Sequence, residues 1–478
     1  MPLRLVASTA DASPPPPPPN FDKVATGSRG HGISLLHGWL PPTVEIAALI
    51  LVLLVIGWRT RRWRLLWLPL SLAAGLLGAF AAHQVVYNEG WATGPDKAPM
   101  LLWLCAGGVV TVFFVAVLGW RSARWWRRLL VLPAMALVLV SSLIVLNQWV
   151  GYFPTVQIAW KAINAAPLPQ QTSLASLSSL RGKPQQAGKV VPIQTPDTVS
   201  GMFHRTEYAY LPPAWFTGAT PPKLPVVMMI GGEFATPDDW IRVGNILPAL
   251  NSYATEHDGW APILVFVDTG GTFTNDTECV NGPRDNVATH LTQDVPPYIE
   301  KTFGTATSAA QWAVTGWSMG GTCAIDLAVM HPDQFGTFID IAGDIGPNTG
   351  NKAQTIQRLY GGNAQQWAAF DPRTVMTTHG NYTGMTGLLY AFTPTGPYGK
   401  WTGGQTPTAA TDERTFLSGK SSNTIKLDSA TALYTTATKA GITVTLYSTP
   451  GNHTWQAASG AFDSALPWLF DHLHAAAS

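Results

Sequence analysis

The stretch AVTGWSMGGTCAIDLAVMHP, residues 313–332, carries the strongest structural signal in this chain of 478 residues. Its first residues are typical of a buried strand, and its later residues predict a helix that ends before Pro332. Ser318 lies at the junction, between Gly316 and Gly320, in the pattern G-x-S-x-G. A serine on a tight strand-to-helix turn exposes its hydroxyl as a nucleophile, and small neighbours let the chain reverse. The pattern also occurs by chance, so the rest of the chain has to support this interpretation.

Apolar strands alternate with helical stretches from about residue 188 onward. This alternation predicts the α/β class, with a mostly parallel sheet that helices cover on both faces. In such sheets the functional residues collect at the carboxyl ends of the strands. The clearest strands are PVVMMIGGEF (225–234), APILVFVDTGG (261–271), WAVTGWS (312–318), TGLLYAF (386–392) and TVTLYSTPG (443–451).

His453 is the candidate general base, because it follows the last predicted strand in STPGNHTWQ. A histidine there can accept the proton of Ser318 and return it to a leaving group. The order serine, acid, histidine along the chain is that of α/β-hydrolases. The acid candidates are Glu413, Asp412 and Asp428, of which Glu413 is slightly preferred. Asp428 is equally interpreted as the N-cap of a helix that it opens, and a site that uses no acid is a further alternative.

The oxyanion hole is expected to combine two backbone N–H groups. One belongs to Met319, directly after the nucleophile. The other comes from Glu233 or Phe234, in the loop after the strand over residues 225–230. The side chains of these residues play no part in this role.

Four apolar runs occupy the first third of the chain. Only 12% of all residues are charged, against roughly 25% in an ordinary soluble protein. Each run is about long enough to cross a bilayer as a helix, and tryptophans cluster near the run ends as in an interfacial belt. We therefore expect four transmembrane helices within residues 43–153. The runs are 43–58, 65–86, 99–120 and 129–150.

Arginine-rich loops orient these runs, because positive residues in short loops mark the cytoplasmic side. Both termini, and everything after about residue 153, are then expected outside the cytoplasm in a multi-pass protein of the cell membrane. The Pro-rich tail 1–42 is expected to be disordered, 154–187 to be a linker, and 188–478 to be the extracytoplasmic domain. The arginines are Arg59, Arg61, Arg62 and Arg64 after the first run, and Arg121, Arg124, Arg127 and Arg128 after the third.

Cys279 and Cys323 lie in the outer domain, where an oxidising setting permits a disulfide. Such a bond would pin the loop after the strand 261–267 beside the nucleophile; two free buried thiols are the alternative. Cys105 lies in an apolar run and is interpreted as a packing residue. The spacing of cysteines and histidines indicates no zinc site, and no glycine-rich phosphate loop is present, so no metal or cofactor is expected. The net charge of +1 gives no reason to expect nucleic acid as a partner.

These motifs together resemble the putative-esterase group of α/β-hydrolases, which includes esterase D-type enzymes, feruloyl esterases and mycolyltransferases. GWSMGG (316–321), followed by a helix and HPDQF, is similar to the family's elbow, and PGNHTW (450–455) to the mycolyltransferases' histidine segment. WAAFDPRTVM (367–376) is similar to an asparagine-aspartate-proline segment of the mycolyltransferases. TECVNGPRDNVATHLTQDVPPYIE (277–300) resembles a segment of membrane-anchored actinobacterial members. FLSG departs from the mycolyltransferases, because Ser418 stands where they carry glutamate.

The resemblance implies serine hydrolase or acyltransferase chemistry at the cell envelope, over roughly residues 188–475. The leading hypothesis is a membrane-anchored extracytoplasmic serine esterase that acts on an acyl ester through an acyl-enzyme on Ser318. One alternative is an acyltransferase that moves the acyl group to a sugar hydroxyl or glycolipid. Another is a non-catalytic envelope scaffold with a hydrolase fold. The apolar runs carry few ionisable residues, which favours an anchor in the lipid bilayer over a transport pathway.

Overall fold

The computed structural model describes residues 32–89, 98, 100–393, 422–450 and 453–477. Residues 1–31 of the Pro-rich tail lie outside the described residues, as do Asp412, Glu413 and Ser418. The helices are α1 Leu40–Ile56, α2 Leu68–Glu89, α3 Met100–Gly119, α4 Trp125–Val150, α5 Val156–Ile163, α6 Leu177–Leu180, α7 Asp239–Arg242, α8 Leu247–Glu256, α9 Val287–Thr289, α10 Val295–Phe303, α11 Met319–Met330, α12 Lys352–Tyr360, α13 Ala364–Phe370, α14 Pro372–His379, α15 Ser422–Lys439 and α16 Trp455–Ala475. The strands are β1 Lys189–Ile193, β2 Glu207–Leu211, β3 Val226–Ile230, β4 Ile263–Phe266, β5 Asn281–Gly282, β6 Asp285–Asn286, β7 Trp312–Trp317, β8 Thr337–Ile341, β9 Thr386–Thr393 and β10 Thr443–Pro450.

Eight strands form one sheet in the order β1-β2-β4-β3-β7-β8-β9-β10. β2 runs antiparallel to both of its neighbours, and all the other pairs are parallel. β7 lies in the middle, with Gly316 in register with Ile230 on one side and Asp340 on the other. The prediction of an α/β-hydrolase-like fold with a mostly parallel sheet is confirmed. The sheet therefore brings the ends of β3, β7 and β8 together at one edge.

Each face of the sheet carries its own apolar core, because successive side chains of a strand point to opposite faces. Met228 packs into the core that α10, α11 and α15 cover. Its neighbours Val227 and Met229 pack into the core under α8 and α16. α11 is buried along almost its whole length, so the helix that follows the nucleophile is fixed by packing on every side.

The N-terminal helices pack as a separate bundle. Within the part of the chain that the structure describes, three segments are long and apolar enough to cross a membrane: Trp63–Val86, Met100–Ser122 and Trp125–Val150. α1 is apolar but has only 17 residues, and it is not among the three candidate spans. Of the four expected spans, the first therefore stays a prediction. α2 and α3 approach closely because glycines face each other, and a Cβ on Gly107 would lie 2.8 Å from the carbonyl oxygen of Gly75.

The segment 154–187, expected as a linker, packs against the domain that contains the sheet. Leu168 and Leu177 are buried in the two sheet cores, and Gln171 forms a bridge with Val190 of β1. The Arg181 guanidinium lies 3.4 Å from the ring centroid of Trp215. These contacts make the segment an ordered part of the domain, which its Ser, Ala, Gln and Pro content did not indicate.

Candidate active site

The turn at Ser318 has the geometry of a nucleophile elbow. Ser318 has φ 58° and ψ −121°, a strained conformation for a residue with a side chain. Its N–H donates to the carbonyl oxygen of Ile341, 2.9 Å away, which ties the turn to β8. A Cβ on Gly316 would lie 1.8 Å from the carbonyl oxygen of Gly320. Gly316 is therefore required by the close contact of β7 with α11, and Gly320 by its contact with β3, since a Cβ there would lie 2.3 Å from the carbonyl oxygen of Gly231.

The structure places His453 beside this serine. Its Nε2 lies 2.8 Å from the Oγ of Ser318, which is hydrogen-bond distance. His453 precedes Thr454, whose hydroxyl accepts from the N–H of Ala457 and caps α16. The ring of Trp317 lies 5.2 Å from the imidazole, measured between centroids. The end of β10 and the start of α16 thus position the predicted base within reach of the predicted nucleophile.

The loop after β3, which carries two of the predicted oxyanion donors, contacts Ser318 through Gly232. Met319 is the first residue of α11, and a Cβ on Gly232 would lie 3.3 Å from the Cβ of Ser318. Glu233 and Phe234 follow this glycine, and Phe234 has φ 63°. Among the described residues, the N–H groups of Met319, Glu233 and Phe234 have no hydrogen-bond acceptor. The oxyanion hole formed by Met319 with Glu233 or Phe234 therefore stays a prediction.

A hydrogen-bond network that includes Tyr152 braces the loop after β3. The hydroxyl of Tyr152, just beyond α4, donates to a carboxyl oxygen of Asp239. The same oxygen accepts the N–H of Thr236 at 2.6 Å, and Arg205 donates to the carbonyl oxygen of Ala235 at 3.0 Å. Burial raises the pKa of Asp239 to about 7. Sequence reasoning missed this network, because nothing in the local pattern links Tyr152 to the loop after β3.

Cys279 and Cys323 form a disulfide in the structure, with a Cα–Cα distance of 5.7 Å. Cys323 lies in the second turn of α11, and Cys279 in the loop after β4. The bond fastens that loop to the helix that carries the candidate nucleophile at its start. Cys105 is distant from this pair in the chain and is a free thiol.

Buried carboxyl groups collect around the first turns of α11. Lys426 lies 2.6 Å from a carboxyl oxygen of Asp344, and the N–H of Asp344 donates to the hydroxyl of Thr322 at 2.8 Å. Burial, reinforced by the neighbouring carboxylates, raises the pKa of Glu233 and of Glu278 well above the usual range. The sequence did not indicate this cluster, because its members come from three different loops and two helices, α11 and α15.

The third member of a triad is not assigned by these contacts. Asp412 and Glu413 lie outside the described residues. Asp428 lies inside α15, which begins at Ser422. The interpretation of Asp428 as a helix N-cap is therefore wrong, because the helix starts six residues earlier than its polar sequence suggested.

One group of described residues brings three possible metal ligands together. Ligand atoms of His204, Glu207 and His290 all lie within 4.8 Å of one another and are buried. Both ring nitrogens of His204, however, lie near carbonyl oxygens, of Arg205 at 2.9 Å and of Thr195 at 2.7 Å. Each ring nitrogen of His204 is therefore occupied by a backbone carbonyl oxygen and does not face an open coordination position. The group is better described as a buried hydrogen-bond network.

Comparison with known proteins places the chain in a family. A family model described as "Putative esterase" matches residues 204–391. An uncharacterized protein of Corynebacterium glutamicum is 30% identical over 363 residues, which are 73% of this chain and 82% of that protein. The MPT51 antigen of Mycobacterium leprae is 27% identical over 139 residues, 27% of this chain and 43% of that protein.

Solved structures give a more distant likeness. An S-formylglutathione hydrolase from Agrobacterium tumefaciens has 17% identity and a TM-score of 0.43, over 61% of this chain and 96% of that one. MPT51 of Mycobacterium tuberculosis has 18% identity and a TM-score of 0.39, over 59% of this chain and 99% of that one. The resemblance noted from the motifs is confirmed by the family match and the long relative. This chain belongs to the esterase family of α/β-hydrolases and is an enzyme of the serine hydrolase or acyltransferase class.

Proposed function

We propose that this protein is a membrane-anchored serine esterase with its catalytic domain outside the cytoplasm. The observation that carries the proposal is the 2.8 Å separation between the His453 Nε2 and the Ser318 Oγ, on a turn whose backbone is strained. A serine is a weak nucleophile unless an adjacent base takes its proton. This pair has the distance that the transfer needs.

The reaction follows from these positions. Ser318 attacks the ester carbonyl while His453 takes the hydroxyl proton, and the N–H groups of Met319 and Glu233 stabilise the oxyanion that forms. The carbon–oxygen bond to the alcohol then breaks, and His453 returns the proton to the departing alcohol. Water, deprotonated by the same imidazole, then attacks the acyl carbon. The bond between that carbon and the Ser318 Oγ breaks, His453 returns the proton to Oγ, and the acid leaves. Glu413 is the preferred partner for the imidazolium, with Asp412 and Asp428 as alternatives.

The anchor in this proposal consists of all four N-terminal helices. α1, with 17 residues, is at the short end of the range that spans a bilayer. The arginine loops lie at one end of the bundle, where Arg59 donates to the carbonyl oxygen of Gly119 at 2.8 Å. At the other end Gln148 donates to the carbonyl oxygen of Leu36 at 3.3 Å. The positive-inside rule assigns the arginine end to the cytoplasm and the catalytic domain to the opposite side.

Transfer of the acyl group to an alcohol is a second candidate. Carboxyl oxygens of Glu233 and Glu278 have no hydrogen-bond partner among the described residues, and Glu233 adjoins the glycine that contacts Ser318. Such oxygens can accept from the hydroxyl groups of a sugar or glycolipid acceptor. A reaction with a soluble acyl ester and trehalose or glucose, analysed for free acid and for acylated sugar, distinguishes hydrolysis from transfer.

Labelling of the full-length protein tests the activated serine. Detergent-purified protein is treated with a fluorophosphonate and mapped by peptide mass spectrometry. We expect one adduct, on Ser318, that is lost in Ser318→Ala and strongly slowed in His453→Gln.

Two matched variants serve as controls: Ser308→Ala, an exposed serine before β7, and His474→Gln, an exposed histidine near the end of α16. Both are expected to label like the wild type. A folded protein that takes no adduct on Ser318 would contradict the esterase proposal and favour the non-catalytic scaffold.

A further inference from the structure

The chain segments on either side of the bundle form one ordered surface. We define it as the juxtamembrane collar, residues 32–39 and 154–163. The N–H of Val156 donates to the carbonyl oxygen of Ile33 at 2.9 Å, and the N–H of Leu35 to that of Pro154 at 3.0 Å. Ser34 and Thr155 form an antiparallel bridge. The collar therefore joins the start of α1 to the end of α4.

The collar presents apolar side chains outward. On α5, Val156, Trp160 and Ile163 are 36%, 66% and 75% exposed. Their spacing of four and three residues puts them on one face of the helix. Ile33 and Trp39 add two further exposed apolar side chains, 42% and 65%. A short helix whose apolar face points away from its own protein needs another apolar medium to cover that face.

The position of the collar identifies that medium. α4 ends at Val150 and α5 begins six residues later, so α5 starts within about 20 Å of the end of the candidate span. α4 itself carries exposed Leu139 and Leu143, at 47% and 63%. The outward apolar side chains thus continue from the span into the collar. Tryptophan is enriched at the level of lipid headgroups, and Trp160 and Trp39 are the largest exposed side chains of the collar.

We infer that the collar lies in the headgroup layer of the bilayer, with the apolar face of α5 inserted at its boundary with the acyl chains. The partner is a phospholipid leaflet, and this inference rests on the proposed membrane anchor. Gln157 and Lys161 occupy the adjoining side of α5 and are exposed. They face the water above the headgroups.

The collar also fixes where the catalytic site lies. The side chain of Asn147, in α4, accepts the N–H of Phe153 at 2.6 Å and donates to its carbonyl oxygen at 2.9 Å. Gln456, three residues after His453, donates to the carbonyl oxygen of Gly151 at 2.8 Å. With α5 in the leaflet, the Ser318 site is therefore held at the membrane surface, next to the end of α4.

Site-directed fluorescence tests the inference on the full chain in vesicles of phosphatidylcholine and phosphatidylglycerol. The background is Cys105→Ser, because Cys279 and Cys323 are bonded to each other. An environment-sensitive dye is attached to Ile163→Cys, to the matched control Lys161→Cys on the polar side, and to Leu143→Cys within α4. Quenching by brominated lipid is compared with quenching by aqueous iodide.

We expect the dye at position 163 to emit at shorter wavelength and to lose more fluorescence to brominated lipid than to iodide. The dye at 161 should show the reverse preference. If brominated lipid quenches the dye at position 143 but not the dye at position 163, the inference is overturned and the membrane anchor stays intact. Shielding of 163 from both quenchers would also overturn it, in favour of a protein partner. Iodide quenching at both 143 and 163 would remove the anchor itself.

Discussion

The indole of Trp455 packs against the indole of Trp317, with ring centroids 4.6 Å apart. Trp317 directly precedes Ser318, and Trp455 follows His453 by two residues. The two residues proposed to react are thus held by an aromatic contact beneath them as well as by their own hydrogen bond. Trp455 is 1% exposed and also packs on Trp240, at 5.3 Å.

Trp455→Ala is expected to destabilise the catalytic domain by about 3–5 kcal/mol, because it empties a buried aromatic site. It should also lower kcat, since His453 loses its support. Trp455→Phe keeps part of the aromatic contact and should therefore lower both the stability and kcat by less than Trp455→Ala does. Thermal unfolding and ester hydrolysis are the measurements, with exposed Trp160→Phe as control. Normal turnover by a folded Trp455→Ala protein would contradict a positioning role.

Tyr152→Phe removes the hydroxyl that donates to Asp239 and leaves that carboxyl with one hydrogen bond fewer. Loss of a partner by a buried polar group costs about 1–3 kcal/mol. Because Asp239 holds the loop after β3, which carries the proposed oxyanion donor Glu233, kcat is expected to fall while KM changes little. The matched control is Tyr434→Phe, a tyrosine 37% exposed on α15. A change confined to KM would indicate that Tyr152 contacts substrate instead.

Asp239 predicts a pH dependence of stability. Its pKa is raised to about 7 in the folded protein, chiefly by burial, from a usual value of 3.8. The folded state therefore holds a proton that the unfolded chain releases. The stabilisation that the protonated Asp239 gives to the folded state is fully present below pH 3.8 and is lost as the pH rises through about 7. Relative to Asp239→Asn, the wild type should lose about 1.4 kcal/mol per pH unit inside that window.

Denaturant unfolding in detergent at pH 5, 6, 7 and 8 measures this difference. Asp258→Asn, which changes an exposed carboxyl, should give a curve parallel to the wild type. Parallel curves for Asp239→Asn as well would show that this carboxyl has no raised pKa in the folded protein.

The disulfide between Cys279 and Cys323 closes a loop with a sequence separation of 44. Because the cross-link restricts the unfolded chain over a loop of this length, it stabilises the folded state by about 4 kcal/mol. The double variant Cys279→Ser, Cys323→Ser should therefore melt at a lower temperature than the wild type and no longer respond to reductant. Cys105→Ser should respond to reductant like the wild type. A wild-type melting temperature that is insensitive to dithiothreitol would contradict the cross-link.

The acid is found by comparing three variants, Glu413→Gln, Asp412→Asn and Asp428→Asn. Loss of the partner of a catalytic histidine lowers kcat by roughly 10⁴-fold in a complete triad. We expect that loss for Glu413→Gln and near-normal activity for the other two. The rate of ester hydrolysis above pH 7 is the measurement. Normal activity in all three variants would show that none of them serves His453.

The features that could be predicted from the sequence are those formed by residues close together in the chain. The elbow was predictable because Gly316 and Gly320 stand within two residues of Ser318, and the change from strand to helix is continuous in the chain. The brace between Tyr152 and Asp239 was not, because 87 residues separate its partners. The start of α15 was placed too late because SSNTI contains no apolar periodicity before Asp428. Long-range pairs are set by the sheet order, which periodicity alone does not give.

The junction of Gly151, Tyr152 and Phe153 has a kinetic consequence. A catalytic domain on a flexible linker moves through a volume of solution and can meet dissolved substrates there. Here the connection consists of three residues that are hydrogen-bonded to α4 and to the domain, so the domain has no flexible linker at this point. In the proposed arrangement the enzyme meets a membrane-borne ester only by lateral diffusion. Its turnover should then follow the number of ester molecules per unit of membrane area, and dilution of the vesicles at fixed lipid composition should leave it unchanged.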